Sequence, residues 1–103
     1  MSDEKPSGLK GFQRRFLRAR ANPLQAIVQV GEDGLSDGVI AAIDAALRDH
    51  ELIKVRMRTP ADKHALAEAL AERSGAELVG VVGHTVILYR PNAERSRIRI
   101  PER

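Results

Sequence analysis

Seven residues, Leu52-Ile53-Lys54-Val55-Arg56-Met57-Arg58, alternate apolar with cationic from Ile53 onward. A period of two is the mark of a β-strand, whose successive side chains point to opposite faces. Ile53, Val55 and Met57 therefore face a core, and Lys54, Arg56 and Arg58 face away from it. Residues two apart on a strand stand about 7 Å apart, close to the phosphate spacing of one nucleic-acid strand. The apolar face needs a covering layer, and the flanking segments supply it. Upstream, a helix is expected from about Ser36 to Asp49, with Ser36 as N-cap and Asp37 in the first turn, where the helix dipole favours an anion. Its buried stripe is Val39, Ile40, Ile43 and Leu47. Downstream, Thr59-Pro60-Ala61-Asp62 reads as a helix start, with Thr59 capping and Pro60 at the first helical position. That helix is expected to end near Ser74, with Gly75 as a left-handed stop.

Further out, Gln25 to Val30 reads as a short strand stopped by Gly31. Between Gly8 and Arg20, Leu9, Phe12, Phe16 and Leu17 recur at helical spacing, and the break at Ala21-Asn22-Pro23 ends the helix. Lys10, Arg14 and Arg18 form a neighbouring stripe. Leu78 to Val82 and Thr85 to Arg90 form a hairpin across Gly83-His84. The expected fold class is α/β: one domain, ordered α-β-α-β-α-β-β, with a mixed four-stranded sheet packed by helices. Residues 1–7 are expected as a disordered lead, 8–92 as the domain and 93–103 as a basic tail, with a late strand through Ile98 and Ile100 as the alternative.

The chain has 103 residues and no cysteine, so there is no disulfide frame or thiolate chemistry, which fits a reducing cytoplasm. No apolar run approaches the roughly 20 residues of a membrane span, and the first residues lack a signal-peptide core. His50, His64 and His84 do not pair at metal-ligand spacing. Ser36 and Ser74 lack a triad-like context, and no carboxylate pair has acid–base spacing. An enzyme is not expected, nor a cofactor, a metal or a small-molecule substrate.

The net charge is only +3, but it is strongly segregated. Lys10, Arg14, Arg15, Arg18 and Arg20 fall within one short run without an acid. Six acids against Arg48 alone fill Glu32 to Glu51, and five arginines against two glutamates follow from Arg90 to Arg103. Clustered cations release counterions from a polyanion, so this pattern points to nucleic acid. A solvated, solubility-preserving face is the alternative for each cluster. The GxxG pattern occurs three times, at Gly8–Gly11, Gly31–Gly34 and Gly80–Gly83. Only Gly31–Gly34 joins a strand to a helix, where backbone N–H groups can meet a phosphate. A plain tight turn is the leading alternative. The sheet lacks the aromatics that stack bases in some RNA-binding sheets, so phosphates and shape should dominate binding.

Three blocks carry a family resemblance: Val30-Gly31-Glu32-Asp33-Gly34-Leu35-Ser36-Asp37-Gly38-Val39, His50-Glu51-Leu52-Ile53-Lys54-Val55, and Val82-Gly83-His84-Thr85-Val86-Ile87-Leu88-Tyr89-Arg90-Pro91. With Leu9-Lys10 and the Pro23 break, they make residues 8–100 resemble the bacterial YhbY-type proteins of the CRM-domain family. The resemblance implies a fold similar to the C-terminal domain of translation initiation factor three. It also implies an RNA-binding protein working on ribosomal RNA of precursor large subunits, and the protein is expected as a monomer in the cytoplasm. By resemblance, Gly31 and Gly34 form the RNA-facing loop, and Lys10, Lys54 and Arg90 belong to the basic surface. The full expected surface is Lys10, Arg14, Arg15, Arg18, Gly31, Gly34, Lys54, Arg56, Arg58 and Arg90. Glu32 and Asp33 depart from what a phosphate-facing loop prefers, because like charges repel. The alternative function is a module docking a ribosomal or other acidic protein.

Overall fold

Burial of Ile53, Val55 and Met57, all within 1% of full burial, organises the larger of two cores. The computed structural model describes residues 9–32, 34–58, 61–92, 96 and 98–102. Its elements are α1 (Gly11–Ala21), β1 (Ala26–Val30), α2 (Asp37–His50), β2 (Leu52–Met57), α3 (Lys63–Ser74), β3 (Glu77–Val82) and β4 (Thr85–Tyr89). This is the expected order. The strands form one sheet in the order β1-β2-β4-β3. β1 and β2 pair in parallel, as strands joined through a helix do, and the other two pairs are antiparallel. β4 therefore inserts between β2 and β3, and both β1 and β3 are edges.

α2 and α3 cover one sheet face. Ile43, Leu47, Ala67 and Leu70 pack there on Val28, Val30, Val86 and Leu88. Ser36 caps α2 as expected, its hydroxyl accepting the Val39 N–H at 3.2 Å. α3 begins later than expected. Asp62, not Thr59, is its N-cap, with the carboxylate accepting the Ala65 N–H at 3.1 Å. Thr59 and Pro60 themselves lie outside the described residues. Gly75 ends α3 with a φ of 70°.

The opposite face is not open. α1 lies across it, and Leu17 and Ala21 pack on Leu52, Val79, Ile87 and Tyr89 in a second core. The chain beyond β4 returns to this core. Ile98 is buried there and Ile100 packs against it, while Gln13 Nε2 donates to the Pro101 carbonyl at 3.1 Å. Among the described residues of the 93–103 stretch, Ile98 and Ile100 thus have a seat on the second core, and none lies in a strand. Within it, residues 93–95, 97 and 103 lie outside the described residues, as does the lead 1–7.

The carboxylate of Glu51 anchors this return. It is 1% exposed and accepts the N–H groups of Asn92 (3.0 Å) and Ile98 (3.3 Å) and the Ser96 hydroxyl (3.3 Å). Charge-assisted bonds of this kind make up for the water a buried carboxylate loses. Glu51 also takes a φ of 66° at the end of α2, a conformation that costs a side-chain-bearing residue energy.

Candidate functional site

α1 covers only part of its sheet face. Beside it runs an open groove of about 600 Å³. One wall is the α1 face made by Arg15, Arg18, Ala19 and Asn22, which follow the i, i+3, i+4, i+7 spacing of a single helix side. The floor is the sheet itself. Strand register sets Ala26, Lys54 and Ile87 in one row, with Gly80 continuing it on β3. A second row runs Gln29, Arg56, Thr85 and Val82. Leu24 closes the end nearest the α1–β1 turn.

Gly80 explains how the wall meets the floor. A Cβ at this position would stand 3.2 Å from Cδ of Arg18. Without one, the Arg18 stem lies directly on β3. Arg18 and Arg15 thus approach the groove from the helix, and Lys54 and Arg56 approach it from the strand. Segments more than 30 residues apart in sequence supply one cationic cleft.

Its cations differ in their engagement. Lys54 is half-buried, and its Nζ donates to the carbonyls of Asn22 (3.2 Å) and Leu24 (3.1 Å). It therefore holds the carbonyl-rich end of α1 while its charge stays beside the groove. Lys54 thus has a structural task as well as a charge on the groove side of β2. Arg15, Arg18 and Arg56 are exposed and form no ion pair among the described residues. A convergence of unneutralised cations raises the local positive potential, which a concave wall focuses.

The other expected residues divide by position. Arg58 is exposed just past β2, and its N–H donates to the Val30 carbonyl at 3.1 Å. That bond sets it beside Gly31, where β1 ends. Gly34 N–H closes a turn on the Gly31 carbonyl at 3.0 Å, and its φ of 66° is one that glycine takes without strain. Glu32 is exposed on this turn, and Asp33 lies outside the described residues. The Gly31–Gly34 turn and Arg58 thus sit together at one end of the sheet, next to Arg56. Lys10 is exposed at the N-cap of α1, and Arg14 is half-buried and does not line the groove. The helical stripe therefore reaches the groove through Arg15 and Arg18, rather than through Lys10, Arg14 and Arg18.

Arg90 stands apart from all of these. Its Nη1 lies 2.7 Å from the Ser74 carbonyl and 3.0 Å from Asp44 Oδ1, so it ties α2 to α3. Asp44 also pairs with Arg48 at 3.0 Å. The guanidinium expected on the basic surface is instead engaged by the acidic second helix. Sequence reasoning did not single out Ala19, Asn22, Leu24, Ala26, Val82, Thr85 or Ile87 as site residues, and these complete the groove. Only the helical spacing from Arg15 and Arg18 pointed to Ala19 and Asn22.

Among the described residues, no group of three His, Asp or Glu side chains is placed to hold a metal, and no helix is long and apolar enough to cross a membrane. A three-layer α/β domain with such a cleft has the build of a module for polyanions. The chain belongs to the CRS1/YhbY (CRM) domain family, whose profile matches residues 9–90. It is 42% identical over 95 residues to Probable RNA-binding protein YqeI of Bacillus subtilis, covering 90% of this chain and 99% of that one. It is 38% identical over 94 residues to an RNA-binding protein of Haemophilus influenzae, covering 88% and 93%. A Staphylococcus aureus protein solved in solution superposes with a TM-score of 0.79 at 39% identity, covering 90% of this chain and 99% of that one.

Proposed function

We propose that this chain is a CRM-type RNA-binding protein, and not an enzyme, that grips RNA through the α1–β2 groove. The observation that carries this reading is the convergence of Arg15 and Arg18 with Lys54 and Arg56 on one cleft, with no carboxylate among the described residues paired to its three exposed arginines. The names of the relatives support the same ligand. Phosphates would sit against the arginines, which bind them in bidentate fashion. Arg58 and the Gly31–Gly34 turn extend the surface along the sheet end, with Lys10 and Arg14 as outlying contributors on α1. Lys54 orients the helix wall and adds charge. Arg90 has no part in it.

The RNA is the ribosomal RNA of precursor large subunits, met in the cytoplasm during ribosome assembly, and the protein binds it as a monomer. The family resemblance supports this narrower reading. Crosslinking in cells, followed by sequencing of the attached RNA, tests it. Recovery of large-subunit precursor sequences, lost when Arg15, Arg18 and Arg56 are all changed to Ala, is the expected result. Crosslinks concentrated on other RNAs would overturn the ribosomal assignment.

A further inference from the structure

Phosphates are the same in RNA and DNA, so arginines that hold them do not tell the two apart. The group that lets a protein make this distinction is the ribose 2′-OH, which both donates and accepts a hydrogen bond. Its partners must be neutral polar side chains, because a sugar carries no charge. They must also stand beside the phosphate contacts, because each ribose lies between two phosphates.

Two such side chains flank Arg56. α1 packs on Leu52, Val79, Ile87 and Tyr89, and it leaves the row of Gln29, Arg56, Thr85 and Val82 uncovered. In this row Arg56 pairs in register with Gln29 on β1 and with Thr85 on β4. Residues paired across neighbouring strands share a face and stand about 5 Å apart. The order across the sheet is therefore amide, guanidinium, hydroxyl. A nucleic-acid backbone offers the matching order of sugar, phosphate, sugar. Thr85 lines the groove and is half-buried, and Gln29 is exposed on the far side of Arg56. Lys54 is engaged by the carbonyls of Asn22 and Leu24, but the side chains of Gln29 and Thr85 have no hydrogen-bond partner among the described residues.

We infer that Gln29 and Thr85 read the ribose 2′-OH groups on either side of a phosphate held by Arg56, and so make the site selective for RNA over DNA. This rests on the proposed RNA-binding function and adds its sugar specificity. An amide and a hydroxyl each donate and accept, so either fits a 2′-OH whichever way its proton points. Arg15 and Arg18 hold neighbouring phosphates from the helix wall and supply affinity common to both nucleic acids. No base takes part in these contacts, so the selectivity for ribose is the same in any base sequence.

The test compares a short RNA hairpin, at low salt, with the same hairpin carrying 2′-fluoro in place of every 2′-OH. Fluorine keeps the ribose pucker and the A-form helix but donates no hydrogen bond, so the comparison isolates the hydroxyl. Wild-type protein is expected to bind the hydroxyl form about tenfold more tightly, the scale of two ordinary hydrogen bonds. The double variant Gln29→Ala with Thr85→Val is expected to reduce that preference to less than about twofold, with its affinity for the fluorinated hairpin within about twofold of wild type. Both changes suit a strand, since Gln29 is exposed and Val matches Thr in shape and β-propensity. Changing Arg15, Arg18 and Arg56 to Ala should weaken binding of both hairpins. Equal wild-type affinity for the two hairpins overturns the sugar reading, as does a preference that the double variant keeps or a loss that falls on both hairpins alike. Any of these, with binding still dependent on the three arginines, leaves the RNA-binding reading intact. Binding indifferent to those arginines removes both.

Discussion

Glu51 Oε1 accepts the backbone N–H of Ile98 at 3.3 Å, joining residues 47 positions apart. The same carboxylate receives Asn92 and Ser96, so one buried side chain seats the whole return of the chain against α1. α1 is one wall of the groove, and the stability of that wall passes through Glu51. Glu51→Ala should lower unfolding free energy by about 3 kcal/mol, the scale for losing charge-assisted bonds to buried donors. Glu51→Gly should lose about 1 kcal/mol less, because the φ of 66° relaxes without a side chain. Urea denaturation measures both, and a Glu51→Ala variant as stable as the wild type would refute the anchoring role.

Tyr89 links this anchor to pH. Burial pushes its phenol above the ordinary 10.0, the Ser96 hydrogen bond opposes the rise, and the nearby Glu51 charge adds to it. A raised folded value means that the folded state holds the proton more tightly. The associated stability is complete below pH 10.0 and is lost as pH climbs through the folded value. Unfolding free energies measured across the alkaline range should fall less steeply for Tyr89→Phe than for the wild type. Parallel curves would show that Tyr89 does not contribute.

Arg90 should act on stability and not on RNA. Its guanidinium bridges the Ser74 carbonyl and the Asp44 carboxylate and is only 25% exposed. Arg90→Ala is expected to cost about 2 kcal/mol in thermal or urea unfolding. Its RNA affinity, measured where the variant is fully folded, should stay within about twofold of wild type. A tenfold loss of affinity would return Arg90 to the binding surface.

The acid on the Gly31–Gly34 turn offers a gain-of-function test. Glu32 is exposed on this turn, just past the end of β1, and its charge repels any phosphate that the turn approaches. Glu32→Lys should tighten RNA binding about three- to tenfold at low salt. Unchanged affinity in fluorescence anisotropy would exclude this turn from the interface.

Much of this molecule was legible in its sequence where local physics decides the outcome. The alternation of Ile53, Val55 and Met57 marked the buried face of β2, and Ser36 and Gly75 marked helix ends through their own hydrogen bonds or backbone. What stayed hidden depends on partners distant in sequence. The amphipathic pattern of α1 shows that one side is buried but not that it lies on the cationic face of the sheet. That placement turns Lys54 toward the carbonyls of Asn22 and Leu24 and brings Arg15 and Arg18 over Arg56. An acid after a helix looks ordinary, and only the returning chain makes Glu51 a buried one. Arg90 looked like surface charge until α2 and α3 were seen to close around it.

The most direct measurement is the salt dependence of RNA affinity for the wild type and for the variant with Arg15, Arg18 and Arg56 all changed to Ala. Each phosphate neutralised contributes about 0.7 to 0.9 to the slope of log affinity against log salt. If the groove grips the backbone, the variant's slope should be shallower by about 2 to 3. Two lines of equal slope would contradict the account, because the converging arginines would then hold no phosphate.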